Sequence, residues 1–161
     1  MKYLLKRKWF SLPSDVAIHD ENGREAFRID GRPFSFGKKL SFLDCHHNEL
    51  AFINQKMVDG GPSYEIYHSD DLQAVVRENL ATAARCKLAI DAPAPDDLHA
   101  EGNFTDHEYT FTREGKLVGR VSKSLFPRRD SYGVEVGRGE DEILLLASAA
   151  VIDLCCQKAG L

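Results

Sequence analysis

Cysteine is scarce and unpatterned in this 161-residue chain. Cys45, Cys86, Cys155 and Cys156 show no CxxC spacing, and two of them are adjacent. That excludes a disulfide framework and the common zinc and dithiol motifs. The four thiols are read as reduced, which makes a cytosolic protein the expectation. An excess of one charge is lacking too. The formal net charge is −4, so no general attraction to nucleic acid or to an anionic membrane is expected, which leaves only a local basic face for such a partner. Signal-peptide character is missing: only Tyr3-Leu4-Leu5 precede Lys6-Arg7-Lys8, far short of an h-region. There is no P-loop and no Gly-x-Ser-x-Gly, and Gly137-Arg138-Gly139 lacks the rest of a dinucleotide fingerprint. No DxDxDG-type calcium loop occurs, and turns account for Asp70-Asp71 and Asp96-Asp97. Neither a cofactor nor a catalytic centre is therefore expected. Cys45 beside His46 and His47 suggests a Cys-His pair, but no orienting acid can be placed with it.

Long apolar runs are absent with one exception. From Ile143 to Ile152 every residue but Ser148 is apolar, and Leu154-Cys155-Cys156 extend the run past Asp153. Such a helix is apolar on all sides and has to be surrounded. Its apolar part is about 14 residues, roughly 21 Å at ~1.5 Å per residue. A bilayer core is ~30 Å thick, and Asp153 would lie within it at high cost. A buried core helix is the better reading. Asp153 is expected to emerge from the far end of the core into water; burial would demand a partner such as an arginine.

The rest of the chain reads as strands. Asp20-Glu21-Asn22-Gly23, His46-His47-Asn48 and Arg113-Glu114-Gly115-Lys116 each separate two short alternating segments, as hairpin turns do. The expected strands cover about residues 2–9, 16–19, 24–29, 39–44, 49–56, 63–68, 72–77, 86–91, 98–103, 107–113, 116–123 and 131–137. After Arg77 the chain is read as a loop or a single helical turn. The Pro-rich Ala92 to Asp97 segment is a rigid loop, so residues 1–161 form one domain.

Two internal repeats support this reading. A shift of 24 places Phe10-Ser11-Leu12 on Phe34-Ser35-Phe36, Val16 on Leu40, Ile18 on Phe42, Asp20 on Asp44, Glu25 on Glu49 and Ile29 on Ile53. The pattern returns at Phe126, where Tyr132 and Val134 fall on Val16 and Ile18. A shift of 45 places Tyr64 on Tyr109, Leu72 on Leu117, Val76 on Val121 and Leu80 on Leu125.

About twelve meandering strands must hide their edges, and closure into an antiparallel barrel does so. With strands ~4.8 Å apart and tilted ~40°, the circumference is about 75 Å and the diameter about 24 Å. After inward side chains there remain about 12–14 Å, close to the ~10–12 Å of a helix with its side chains. The fold class is thus mainly β: a closed barrel of about twelve strands around a central hydrophobic C-terminal α-helix. A chain ending at Gly139 should not fold.

The repeated Phe-Ser turns, VSKSLF at Val121 to Phe126, RDSYGVEV at Arg129 to Val136 and EDEILLLASAAVID at Glu140 to Asp153 resemble the LURP-one-related family. That family belongs with the tubby C-terminal-like and phospholipid scramblase domains. The resemblance spans nearly the whole chain and implies a twelve-stranded barrel around a C-terminal helix. The chain departs from the usual pattern at Pro13, Pro33 and Pro127, and it is less basic than lipid-binding tubby domains.

Basic residues give the functional lead. Arg120, Lys123, Arg128 and Arg129 fall on one hairpin and its following turn, with Phe126 among them as an apolar tip. Lys6, Arg7 and Lys8 precede Trp9-Phe10 in the same manner. Both groups are expected at one barrel rim, where they could hold an anionic phospholipid headgroup or a phosphorylated ligand. The plainer reading is solvated turns paired with nearby acids such as Asp130. The leading expectation is a non-catalytic binding domain, cytoplasmic or peripheral at a membrane. The alternative is a protein-interaction scaffold without lipid. No metal is expected: His46-His47 read as a solvated turn, and His99 and His107, which could face each other across a hairpin, have no further ligands.

Overall fold

The computed structural model describes residues 1–7, 15–32, 38–58, 61–77, 85–91, 97–126 and 131–158, without the side chains of 61, 85–88, 157 and 158. Twelve strands run in order: β1 Lys2–Arg7, β2 Val16–His19, β3 Glu25–Gly31, β4 Lys39–Asp44, β5 Glu49–Val58, β6 Gly61–His68, β7 Asp71–Arg77, β8 Arg85–Asp91, β9 Leu98–Asn103, β10 Glu108–Arg113, β11 Lys116–Ser122 and β12 Ser131–Val136. Each pairs antiparallel with its sequence neighbour, and β1 pairs with β12 to close the barrel. The expected strand after Lys116 stops at Ser122. There the chain turns into a 3₁₀ segment, Lys123–Leu125, capped by the Ser122 side chain accepting from Ser124 N at 3.1 Å.

The register reproduces both repeats. Val16 faces Ile29 and Ile18 faces Phe27; 24 residues on, Leu40 faces Ile53 and Phe42 faces Ala51. Each hairpin carries a bulge at the equivalent place, after Ile18 and after Phe42. The turns match atom for atom. Asp20 Oδ1 accepts from Asn22 N and Arg24 N, and Asp44 Oδ1 accepts from His46 N and Asn48 N. The shift of 45 holds equally: Tyr64 faces Val76 and Tyr109 faces Val121, with bulges after Ile66 and Phe111. A short polar side chain that bonds its own turn explains why Asp begins both turns of the first repeat.

The α-helix α1, Glu142–Lys158, fills the lumen. Leu146, Ala147, Ser148, Ala149, Val151 and Ile152 have essentially no exposed surface. Each large apolar side chain so buried contributes about 1.5–3 kcal/mol. Alanines on the helix leave room for wall side chains such as Phe42, Tyr64 and Phe111. Where Leu145 meets the wall, the wall residue is Gly119; a Cβ there would lie 3.3 Å from Leu145 Cδ1.

The antiparallel meander gives the barrel two distinct ends. The β2–β3, β4–β5, β6–β7 and β10–β11 turns lie at the end where α1 enters. At the other end α1 finishes, β1 and β11 finish, and β12 begins.

Candidate functional site

The two ends differ in their charge balance. The helix-entry end carries Asp20, Glu21, Asp44, Asp70, Asp71, Glu114 and Asp141 in its turns, against Arg24, Lys116 and Arg138. The exit end carries Lys6, Lys38, Lys39, Lys56 and Lys123, against Asp15, Asp30, Asp106 and Glu108. Of the bases at and near this end, three are spent on acids: Lys56 on Glu65 at 3.0 Å, Arg32 on Glu49 at 2.7 Å and Arg77 on Asp91 at 3.0 Å. Lys6 and Lys123 are exposed and make no ion pair among the described residues. Glu108, beside Lys123, is occupied: its Oε1 accepts from Ser122 Oγ at 2.7 Å and from Lys123 N at 2.9 Å.

The expected rim residues divide. Lys6 points outward at the exit end, and Lys123 sits in the 3₁₀ segment after β11, with β12 between β11 and the β1 strand of Lys6. Lys8, Arg128 and Arg129 lie outside the described residues, as do Asp130, the Phe10 and Phe34 turns, and Pro13, Pro33 and Pro127. Arg120 is on the outer wall in mid-strand, opposite Thr110 and Glu135. It lines a groove of about 450 Å³ that leads toward the entry end, with Met1, Leu117, Glu135 and Arg138. It therefore belongs to a separate surface.

Arg7 corrects the reading of the rim. Its side chain turns inward, donating from Nη2 to Asp153 Oδ1 at 2.6 Å and from Nε to Asp153 Oδ2 at 3.1 Å. Asp153 does not emerge into water: it is 3% exposed and is also bonded by His107 Nε2 at 2.7 Å. Burial alone would raise its pKa; the His107 and Arg7 hydrogen bonds and their charges reverse this and hold it below the usual carboxylate value. The signal lay in the strand period: Arg7 shares a face with the core residues Tyr3 and Leu5. Lys6, one residue earlier, points the other way.

Phe126 is likewise no exposed tip. The Leu125-Phe126 segment lies over the outer face of Gly133, where a Cβ would stand 2.5 Å from Leu125 Cβ and 2.9 Å from Phe126 Cδ2. His99 and His107 do not face each other. His99 sits opposite Thr112 in the sheet, whereas His107 occupies the β9–β10 turn with φ 56°. Its ring stacks on Tyr132 at 4.4 Å. The hydroxyls of Tyr109 and Tyr132 are buried without a partner among the described residues. Burial first, then the Asp153 charge, raises both phenol pKa values well above normal, so they stay neutral. His46 and His47 are exposed in their turn. Among the described residues no three His, Cys, Asp or Glu side chains are grouped to hold a metal. No described helix is long and apolar enough to cross a membrane.

This barrel, helix and sequence pattern have a match: residues 1–153 fit the LURP-one-related family. The chain belongs to the LURP-one-related family. It is 27% identical over 154 residues to the uncharacterized protein YxjI of Bacillus subtilis (strain 168), covering 96% of this chain and 93% of that one. It is also similar to the X-ray structure of a protein from Arabidopsis thaliana, with a TM-score of 0.71 and 16% identity, over 94% of this chain and 88% of that chain. That likeness shows a shared fold. The LURP-one-related match runs from β1 through Asp153, and so takes in both partners of the Arg7–Asp153 pair.

Proposed function

We propose that this LURP-one-related domain is a non-catalytic binding module, cytosolic and peripheral at membranes, whose helix-exit end rests on anionic phospholipid. The supporting observation is the difference in charge balance between the two ends of the barrel. Lysines that gather at one end see a surface potential that acts together; the same lysines spread around the wall would be neutralised by their neighbours. Each basic residue near an anionic surface contributes about 1 kcal/mol, and the effect falls off within a Debye length. The acidic entry end then faces away from the bilayer and fixes the orientation.

Flotation with vesicles of phosphatidylcholine and phosphatidylserine tests this. Binding should be strong at low salt, fall steeply by 0.3 M salt, and weaken in Lys6→Glu/Lys123→Glu. Glycerophosphoserine, the headgroup without acyl chains, should compete poorly. A wild-type protein that ignores the vesicles at low salt would sink the proposal. A headgroup that competes well would move it to a soluble phosphorylated ligand.

A second reading, a protein-interaction scaffold, draws on the wall groove. There Glu135 lies between Lys2 and Arg120 in the sheet register, with Met1 and Leu117 exposed beside them. Alternating charge with apolar flanks suits a polypeptide better than a lipid headgroup. A partner captured by the wild type and lost in Arg120→Glu, with vesicle binding intact, would support it.

A further inference from the structure

The repeat is not filled equally on all sides of the wall. In the first hairpin Ile18 faces Phe27, whose ring packs on Phe42 and Tyr3 with centroids 5.4 and 5.8 Å apart. In the next copy the place of Phe27 is taken by Ala51, opposite Phe42. The longer repeat shows the same loss: where the later copy has Phe111, the earlier has Ile66. Rings that fill the wall elsewhere are thus missing from the neighbouring strands β5 and β6, toward the end where α1 enters. A half-open cavity of about 220 Å³ lies there. Ala51, Ile66 and Leu144 are buried and form its apolar floor; His68, Gln73 and Asp141 stand at its polar mouth.

The polar groups at the mouth are left chiefly as acceptors. His68 donates from Nδ1 to Leu50 O at 2.6 Å, so in the neutral ring Nε2 is an acceptor. Gln73 donates from Nε2 to Asp71 O at 3.3 Å and keeps its amide oxygen. Asp141 Oδ1 accepts from Leu144 N at 3.0 Å as the cap of α1, while Oδ2 has no partner among the described residues. The positive end of the helix dipole is already met by Asp141 and by Glu142 in the first turn. Asp44, Asp70 and Asp71 add negative potential from the adjoining turns. The bases of this end lie elsewhere: Arg24 and Lys116 are on other hairpins, and Arg138 lines the wall groove.

We infer that this cavity is a binding site for a small single-ring amine, held with its ring on the apolar floor and its ammonium group at Asp141. An ammonium carries three donors and no acceptor, the complement of a mouth built from a carboxylate, an imidazole nitrogen and an amide oxygen. The volume sets the size of the body. A cavity of ~150 Å³ holds benzene, so about 220 Å³ admits one ring with a short chain. An anion of the same size would meet the Asp141 carboxylate and the acidic turns around it. The site lies at the end opposite the proposed lipid face. It stays open to water in the docked domain and does not rest on that reading.

Calorimetric titration with phenethylamine, 2-phenylethanol and 3-phenylpropionate tests this on the wild type, Ala51→Phe, Asp141→Asn and Glu114→Gln. The wild type should bind phenethylamine at millimolar concentration or below. It should bind 2-phenylethanol about tenfold or more weakly, for want of a charged hydrogen bond, and 3-phenylpropionate not at all. Ala51→Phe supplies the ring that the first repeat carries at Phe27; it should fill the cavity and abolish binding without lowering the melt. Asp141→Asn keeps the Oδ1 cap on Leu144 N and should remove the preference for amine over alcohol. Glu114→Gln, in another exposed turn of the same end, should bind as the wild type does, which separates a site from general attraction to an acidic surface. If Ala51→Phe does not fold, the comparison of Asp141→Asn with Glu114→Gln decides. The inference is wrong if phenethylamine does not bind at millimolar concentration, or if the alcohol or the carboxylate binds as well as the amine. It is equally wrong if a folded Ala51→Phe binds undiminished, if Asp141→Asn keeps the preference, or if Glu114→Gln loses as much as Asp141→Asn.

Discussion

The two ends of the barrel are built from the same hairpins yet differ in charge: acids predominate at the entry end, whereas lysines and acids are nearly matched in number at the exit end. At the entry end, turns begin with Asp side chains that bond their own backbone, as Asp20 and Asp44 do. At the exit end Lys6 lies one residue before the end of β1, Lys39 begins β4 and Lys123 follows β11, and among the described residues the only buried carboxylate is Asp153 of α1. The helix is tied at both ends to one strand. Tyr3 of β1 donates to Glu142 at the entry, and Arg7 of β1 donates to Asp153 at the exit. Acids at the entry end serve turns and the helix start, where they favour the helix dipole; Asp153 serves a buried lock. The same residue type is therefore a local turn element at one end and a tertiary clamp at the other.

The largest test of this frame removes what joins the ends. A chain ending at Gly139 loses the whole of α1 and should be insoluble or unfolded by circular dichroism; a soluble, cooperatively melting product would contradict a helix-filled barrel. Next comes the exit lock. Asp153→Asn leaves Arg7 without its counter-charge and removes one of the carboxylate oxygens that Arg7 and His107 share, and should cost about 2 kcal/mol, a fall of roughly 4–8 °C in Tm. Glu142→Gln at the entry should cost roughly half of that or less, since its bond to Tyr3 can persist in neutral form. Equal melts for the two variants would erase the asymmetry.

Acid should separate the ends in the same way. The Asp153 pKa is lowered in the folded state. Its stabilisation is therefore fully present above the unfolded value of about 4 and is lost as pH falls through the folded value. Urea titrations from pH 6 down to pH 2 should show stability dropping below about pH 4 in the wild type and a smaller drop in Asp153→Asn. Parallel curves would mean that the buried carboxylate is not the acid-sensitive group. Asp44→Asn, which keeps the Oδ1 acceptor in an exposed turn, should give the smallest shift of the series.

The sequence revealed the wall more fully than the site. Twelve strands and their turns were legible because period-two alternation and turn residues are local signals, and the matched bulges after Ile18 and Phe42 show that the repeat reached the backbone itself. The filling helix was legible because no solvated helix is apolar on every face. Arg7 and Asp153 were misplaced because charge was taken as a mark of solvent, although Arg7 follows Tyr3 and Leu5 on the inward face. His107 gave no local cue: its bond to Asp153 joins residues 46 apart. Phe126 was taken as exposed because nothing local marks Gly133 as the wall it covers. The charge of each end was present in the turns all along, but it appears only when alternate turns are grouped, which requires the antiparallel meander to be known.

The most direct measurement is hydrogen–deuterium exchange with and without phosphatidylserine-containing vesicles. The account predicts slower exchange around Lys6 and from Lys123 to Phe126, with the turns at 20–24, 45–48, 69–70 and 114–115 unchanged. Protection at those acidic turns, or none at either end while the protein is vesicle-bound, would contradict it.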